Sequence, residues 1–152
     1  MAIASVLTNT FKTELLKGLH SFDTSGATPA GSVFKIALYN SSADLGTTTT
    51  AYTTTEELAT ATGYTRPGNT LTNIDVTLDS DTAVCDFSNT SWTSATFTAR
   101  GLLLYNTTAI TGFTTNRSIL AINFGGDKTV TSGTFTIEFP AAAASTAIIQ
   151  IA

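Results

Sequence analysis

Side chains that could do chemistry are scarce in this sequence of 152 residues. His20 is its only histidine and Cys85 its only cysteine. A histidine between a helical pattern and a loop is typical of an exposed residue or a helix C-terminal partner, rather than a general base. Cys85 alternates with apolar neighbours, which is typical of a small core residue. One histidine and one cysteine are too few for a zinc site of the usual kind.

Carboxylates offer one further possibility, at Asp75, Asp79 and Asp81. Their oxygens could bind calcium, but the spacing fits no EF-hand loop, and aspartates that cap a turn are far more common. The sequence has no glycine-rich phosphate loop and no nucleophile elbow. A glycosidase would need two carboxylates roughly 5–10 Å apart in a cleft. We therefore expect no catalysis, no cofactor and no bound metal.

The composition predicts a polar β-protein with few surface charges. Charged residues make up 12% of the chain, against about 25% in average domains. Threonine makes up about a fifth, and its β-branched side chain favours extended structure. Such a surface is easy to bury against a partner because few ions must be desolvated. The alternative is that the hydroxyl groups serve solubility alone.

The charge and hydropathy patterns exclude two kinds of partner. The net charge is −4, and the seven lysines and arginines do not cluster. Nucleic-acid binding requires a basic face, so we expect no nucleic-acid partner. No apolar run is long enough to cross a membrane as a helix. A single cysteine also excludes an internal disulfide.

Residues 5–19 carry the one helical pattern in the sequence. Leu7, Phe11, Leu15, Leu16 and Leu19 recur at helical spacing, with Lys12, Glu14 and Lys17 between them. We expect Thr8 or Asn9 to cap the start of this amphipathic helix and Gly18 to end it. The apolar face either covers one end of a β-core or docks on a neighbouring subunit. We divide the chain into an N-terminal helix or arm, residues 1–20, and a β-sandwich domain, residues 21–152.

Beyond a loop at 21–32, the apolar pattern changes to a period of two, which predicts strands. The predicted strands are 33–39, 70–78, 83–87, 96–105, 117–124, 133–139 and 147–151. Turns are expected at 125–128 and 131–133, and one turn of helix within 52–61. Phe135, Ile137 and Phe139 alternate with polar residues, so one face of that strand is expected to be buried. The predicted fold is mainly β, an antiparallel sandwich or partly closed barrel of about seven or eight strands.

Four side chains are candidates for contact with a partner protein: Phe11, Leu15, Trp92 and Arg100. The first two lie on the apolar face of the predicted helix. Trp92 stands in a Ser/Thr-rich segment and Arg100 interrupts an apolar strand, and both residue types are favoured as interface anchors. The alternative for Trp92 is a place in the core. The alternative for Arg100 is an ion pair with a strand carboxylate such as Glu138 or Asp86.

Several segments occur in an order that is more informative than any one of them. They are FKIALYNSSA at 34–43, TTAYTT at 49–54, GY at 63–64, GNTLT at 68–72, TARG at 98–101, YN at 105–106, NFGGDK at 123–128, TFTIEFP at 134–140 and AII at 147–149. In this order, and over nearly the whole chain from Phe11 onward, the sequence resembles a family of small structural proteins of tailed bacteriophages. The resemblance implies a virion component, present in many copies and made in the host cytoplasm, and it supplies no catalytic residues.

The resemblance, combined with a small β-module and a terminal helix, leads us to expect a capsid decoration or cement protein. Such a protein packs on neighbouring major capsid protein subunits and stabilises the head through many weak sites. We also expect self-association into a homo-oligomer. The alternatives are a tail, fibre or adaptor subunit, and a host-glycan-binding module. Candidate aromatic residues for glycan binding are Tyr39, Tyr52, Tyr64 and Trp92.

Overall fold

The computed structural model describes residues 2–24 and 31–152, so residues 25–30 of the predicted loop lie outside the described part. In chain order the elements are β1 (Val6–Leu7), α1 (Asn9–Leu16), β2 (Phe34–Tyr39), β3 (Asn69–Thr70), β4 (Asn73–Asp79), β5 (Thr82–Phe87), β6 (Thr90–Asn106), β7 (Arg117–Ile137) and β8 (Ile149–Ile151). The strands form two antiparallel sheets, with orders β1-β7-β6-β2-β3 and β4-β5-β8. The predicted mainly β fold is confirmed, and it is a sandwich rather than a closed barrel.

A long hairpin of β6 and β7 forms the centre of the five-stranded sheet. β6 has 17 residues and β7 has 21. The turns predicted at 125–128 and 131–133 are wrong, because both segments lie inside β7. Each is instead a place where the register with β6 shifts, and Gly125 and Ser132 there have positive φ values of 74° and 47°. The residue types that make turns also make β-bulges, which insert extra residues into a continuous strand.

The five-stranded sheet is covered on both faces around β2 and the adjoining halves of β6 and β7. One face packs on the three-stranded sheet and α1 to form the main core, which includes Phe11, Phe34, Ile36, Phe87, Leu102, Leu104 and Ile119. The other face is covered by the N-terminal segment and the connection after β2, through Ile3, Ala43 and Leu45 packed on Tyr39, Leu103 and Tyr105. Apolar residues on both faces of these strands are therefore buried.

Helix α1 is shorter than predicted, but its ends follow the expected signals. The Thr8 side chain caps the start by accepting a hydrogen bond from the Phe11 N–H at 3.2 Å. The helix ends at Leu16, and Gly18 follows with a φ of +69°, which glycine adopts without strain. The predicted pattern of the helix is wrong at two positions, since Leu16 is 91% exposed and Glu14 is buried.

The connection 52–61 contains no helical turn, contrary to the prediction. An isolated bridge pairs Glu57 with Tyr39 of β2, so the segment runs along the edge of the sheet at this point. A second bridge, between Ala61 and Tyr64, closes a turn within the connection. Glu56 has a φ of +61°, a left-handed conformation that breaks a right-handed helix. The tertiary contacts of Glu57, described below, determine the path of this segment.

Candidate interaction surfaces

A buried polar cluster joins α1 to the central hairpin. The Nε2 atom of His20 lies 2.9 Å from Oε2 of Glu14, and Nε of Arg117 lies 3.0 Å from the same oxygen. The Arg117 contact is an ion pair rather than an aligned hydrogen bond. Asn106 donates from Nδ2 to Nδ1 of His20 at 3.0 Å. The imidazole therefore carries its proton on Nε2 and donates it to the carboxylate.

This cluster is built for positioning rather than for proton transfer. Burial lowers the pKa of His20 below 6.5, and the positive charge of Arg117 lowers it further. The hydrogen bond to Glu14 and the negative charge of Glu14 raise the pKa and so oppose this shift. His20 is thus neutral at pH 7, and both of its ring nitrogens are occupied by protein groups. A general base needs a nitrogen that can reach a substrate proton. What the arrangement does is hold the end of α1 against β6 and β7.

A second buried carboxylate, Glu57, fastens the connection between β2 and β3. Its two oxygens accept hydrogen bonds from the hydroxyls of Tyr64 at 2.8 Å and Tyr52 at 2.5 Å. Nε of Arg66 lies 3.4 Å from the carboxylate. Burial, together with the neighbouring carboxylate, raises the pKa of both tyrosines well above 10. These hydroxyls therefore stay protonated and serve as donors that fix the connection.

The aromatic residues considered for glycan binding lie mostly in the interior. Tyr39 and Tyr64 are buried, and Trp92 is only 3% exposed. Tyr52 is partly buried and stacks on Tyr105 with ring centroids 4.8 Å apart. A sugar ring stacks on an exposed aromatic face, and the rings of Tyr39, Tyr64 and Trp92 offer none because the protein itself covers them.

The thiol of Cys85 is a poor nucleophile in this environment. It lies in the main core, as the sequence predicts. Burial, with smaller contributions from Asp86 and Asp75, raises its pKa to about 12. The thiolate is the reactive form of cysteine, so Cys85 acts as a small apolar core residue at neutral pH.

Two of the three aspartates considered for calcium accept hydrogen bonds from backbone groups. Asp79 accepts a hydrogen bond from the Ala144 N–H at 2.7 Å, and Asp75 accepts one from the Val76 N–H at 3.0 Å. Among residues 2–24 and 31–152, no group of three or more His, Cys, Asp or Glu side chains is placed to hold a metal ion.

Two of the four interface candidates, Phe11 and Trp92, lie inside the chain. Phe11 is 1% exposed and meets the edge of the His20 ring at a centroid distance of 5.2 Å. Trp92 packs against Tyr64 and Phe97, which corresponds to the core alternative considered for it. Neither side chain is available to a partner in this conformation.

The other two candidates, Leu15 and Arg100, reach the surface. Arg100 donates from Nε to Asp127 across the hairpin at 2.7 Å, so its partner is neither of the carboxylates considered from the sequence. Both members of this pair are partly exposed. Leu15 is partly buried and lines an open cavity of about 300 Å³ between α1 and the three-stranded sheet.

We call this cavity the slot. Its lining includes the apolar residues Leu15, Phe22, Ala83, Ile149 and Ile151. Residues opposite one another on neighbouring strands share a face, and Leu78 pairs with Ala83, which pairs with Ile151. These three form a row across β4, β5 and β8 on the face that also carries core residue Cys85. Leu78 is 73% exposed and Ile151 is 55% exposed. The inner face of this sheet therefore continues beyond the core into solvent.

The outer edge of β7 is a second exposed feature. β1 pairs with β7 only at Ala121 and Leu120, and within the described residues no further strand lies on that side. The stretch 129–137 contains no charged residue and no proline. Thr134 and Thr136 point to solvent, while alternate residues pack inward. An uncharged strand edge with unpaired backbone groups can accept a strand from another chain.

Comparison with known proteins adds no relative. No protein-family model, no curated protein and no solved structure matches this chain. Among the residues that the structure describes, no helix is long and apolar enough to cross a membrane. The function proposed for this chain therefore rests on its own sequence and geometry.

Proposed function

We propose that this chain is a bacteriophage virion structural protein, and specifically a capsid decoration or cement protein that packs on neighbouring shell subunits. The observation that carries the proposal is the edge of β7. It offers a run of unpaired backbone groups in 129–137 without a charge to desolvate. A capsid subunit that contributes an extended segment would complete the sheet at this edge.

The rest of the molecule supports a packing role. His20, Tyr52 and Tyr64 are occupied by contacts that hold elements together, in the clusters around Glu14 and Glu57. The surface is rich in hydroxyl groups and poor in ions, so contact with a partner costs little desolvation. A shell presents the same site many times, and many weak contacts add up to a stable lattice.

The location of the protein in the particle is tested by mass spectrometry of separated heads and tails from purified particles. The proposal expects the protein with heads, at a copy number comparable to that of the major capsid protein. A low copy number in the tail fraction would overturn the decoration role and favour a tail, fibre or adaptor subunit.

The edge itself is tested by cosedimentation with capsids that lack the protein. Thr134→Lys combined with Thr136→Lys places two charges on the edge of β7, and charges on an edge oppose strand addition. We expect a loss of capsid binding of about tenfold or more, equivalent to about 1.4 kcal/mol. Thr111→Lys in the exposed 107–116 connection is the matched control and should bind like the wild type. Equal binding by all three proteins would show that the edge does not carry the contact.

A further inference from the structure

Two exposed features at one end of the molecule complement each other in shape. The first is a protruding leucine, Leu16, which is 91% exposed at the end of α1. The second is the slot, whose cavity of about 300 Å³ has room for a leucine side chain. Single exposed apolar residues are common on monomers, whereas larger exposed apolar patches mark interaction sites. Here the exposed Leu16 lies beside an open, mostly apolar cavity.

The two features also carry opposite charge. Lys12 on α1 and Lys17 directly after it flank Leu16, and both are exposed. The one carboxylate on the helix, Glu14, is buried and neutralised by Arg117. The exposed charge around Leu16 is therefore positive.

The slot lies on a hairpin with the opposite sign. Residues 73–87, which include β4 and β5, contain four aspartates and no lysine or arginine. Asp79 and Asp81 lie one and three residues after Leu78. Asp79 accepts a hydrogen bond from the Ala144 N–H, and in the described part of the chain neither aspartate forms an ion pair within 4.0 Å. An apolar cavity with acidic neighbours fits an apolar side chain with basic neighbours.

We propose that a second copy of this chain occupies the slot, with Leu16 of each copy inserted into the slot of the other. Leu15 lines the slot and is the direct neighbour of Leu16, so the protruding residue and the cavity lie side by side. Two copies related by a two-fold axis can then satisfy both contacts at once, which gives a closed dimer rather than an open chain. The exposed row of Leu78 and Ile151 becomes covered in this dimer.

The test is sedimentation of the purified full-length chain over a wide concentration series. We expect a monomer–dimer equilibrium that weakens as salt is added, because the flanking charges are screened. Leu16→Glu should raise the dimer dissociation constant about tenfold or more, and Leu78→Glu should do the same from the other side. Phe113→Glu is the matched control, since Phe113 is 41% exposed in the 107–116 connection.

A charge exchange separates specific pairing from general stickiness. Lys12→Glu should weaken the dimer, and Asp81→Lys added to it should restore part of the affinity. A wild-type chain that stays monomeric at every concentration overturns the proposal, and so does a dimer that both Leu16→Glu and Leu78→Glu leave intact. Circular dichroism checks that each variant folds. If Leu78→Glu does not fold, the result for Leu16→Glu decides the test. The measurement uses only the purified chain, so its outcome is independent of the capsid proposal.

Discussion

The two halves of the central hairpin share one ladder but differ in what covers them. In the inner half, Gly101–Asn106 pair with β2 on one side and with the start of β7 on the other. Every residue from 101 to 106 is buried. In the outer half, residues 129–137 of β7 pack on one face only and leave an edge open. Burial along a strand is therefore set by its neighbours, and the open half is the part that remains for a partner.

Replacement of an arginine should give the largest difference in stability loss between the two halves. Arg117, in the inner half, has a side chain 1% exposed against Glu14. Arg117→Met should lower the free energy of unfolding by about 3–5 kcal/mol, because it leaves a buried carboxylate without its cation. Arg100→Met, in the outer half, breaks a pair whose members are 33% and 49% exposed and should cost about 0–1 kcal/mol. Urea titrations compare the two variants, and similar losses would contradict the distinction between the halves.

Truncation of apolar side chains should also lower the free energy of unfolding more in the inner half than in the outer half, by a smaller difference. Leu103 is fully buried in the inner half, and Leu103→Ala should cost about 2–5 kcal/mol through lost transfer energy and a cavity. Val130 is partly buried in the outer half, and Val130→Ala should cost about 1 kcal/mol. Thermal and urea unfolding measure both variants. A larger loss for Val130→Ala would mean that the outer half is as well covered as the inner half.

The pH dependence of the inner half should be the smallest effect. The pKa of His20 is lowered in the folded chain, so the unfolded chain takes up a proton first as the pH falls below 6.5. Stability should fall from pH 6.5 down to the folded pKa, by at most about 1.4 kcal/mol per pH unit. Above pH 6.5 this residue should contribute no pH dependence.

Asp86 acts in the opposite sense at lower pH, and a variant separates the two. Burial raises its pKa above 3.8, so its contribution to stability decreases as the pH rises from 3.8 through the folded value. His20→Asn should remove the slope just below pH 6.5 and leave the dependence at lower pH. If His20→Asn unfolds with the same pH profile as the wild type, the neutral, buried state of His20 is wrong.

Local signals along the chain predicted the elements better than their limits. Thr8 caps the start of α1 and Gly18 follows its end, both through interactions within a few residues, so their roles are readable from the sequence. The glycines at 125–126 were misleading because a bulge and a turn use the same residue types. Only the pairing of β7 with the distant β6 makes these residues part of one strand.

The candidate surfaces were harder to predict than the fold. The pattern of α1 placed Leu16 with the apolar residues and Glu14 with the polar ones, and the structure reverses both positions. For Glu14 the reason is the charge of Arg117, which lies about a hundred residues away in the sequence and compensates the buried carboxylate. Periodicity carries no information about such a partner.

By itself the sequence determined the class of structure, because alternation of β-branched and apolar residues acts over a few neighbouring positions. It also determined the caps of α1 and the scarcity of surface charge. The tertiary structure alone decided which faces are covered and which edge stays open. Those features depend on pairings between distant segments, such as the hydrogen bond from Thr8 to the Ser118 carbonyl, and no local pattern encodes the neighbour that a strand will meet.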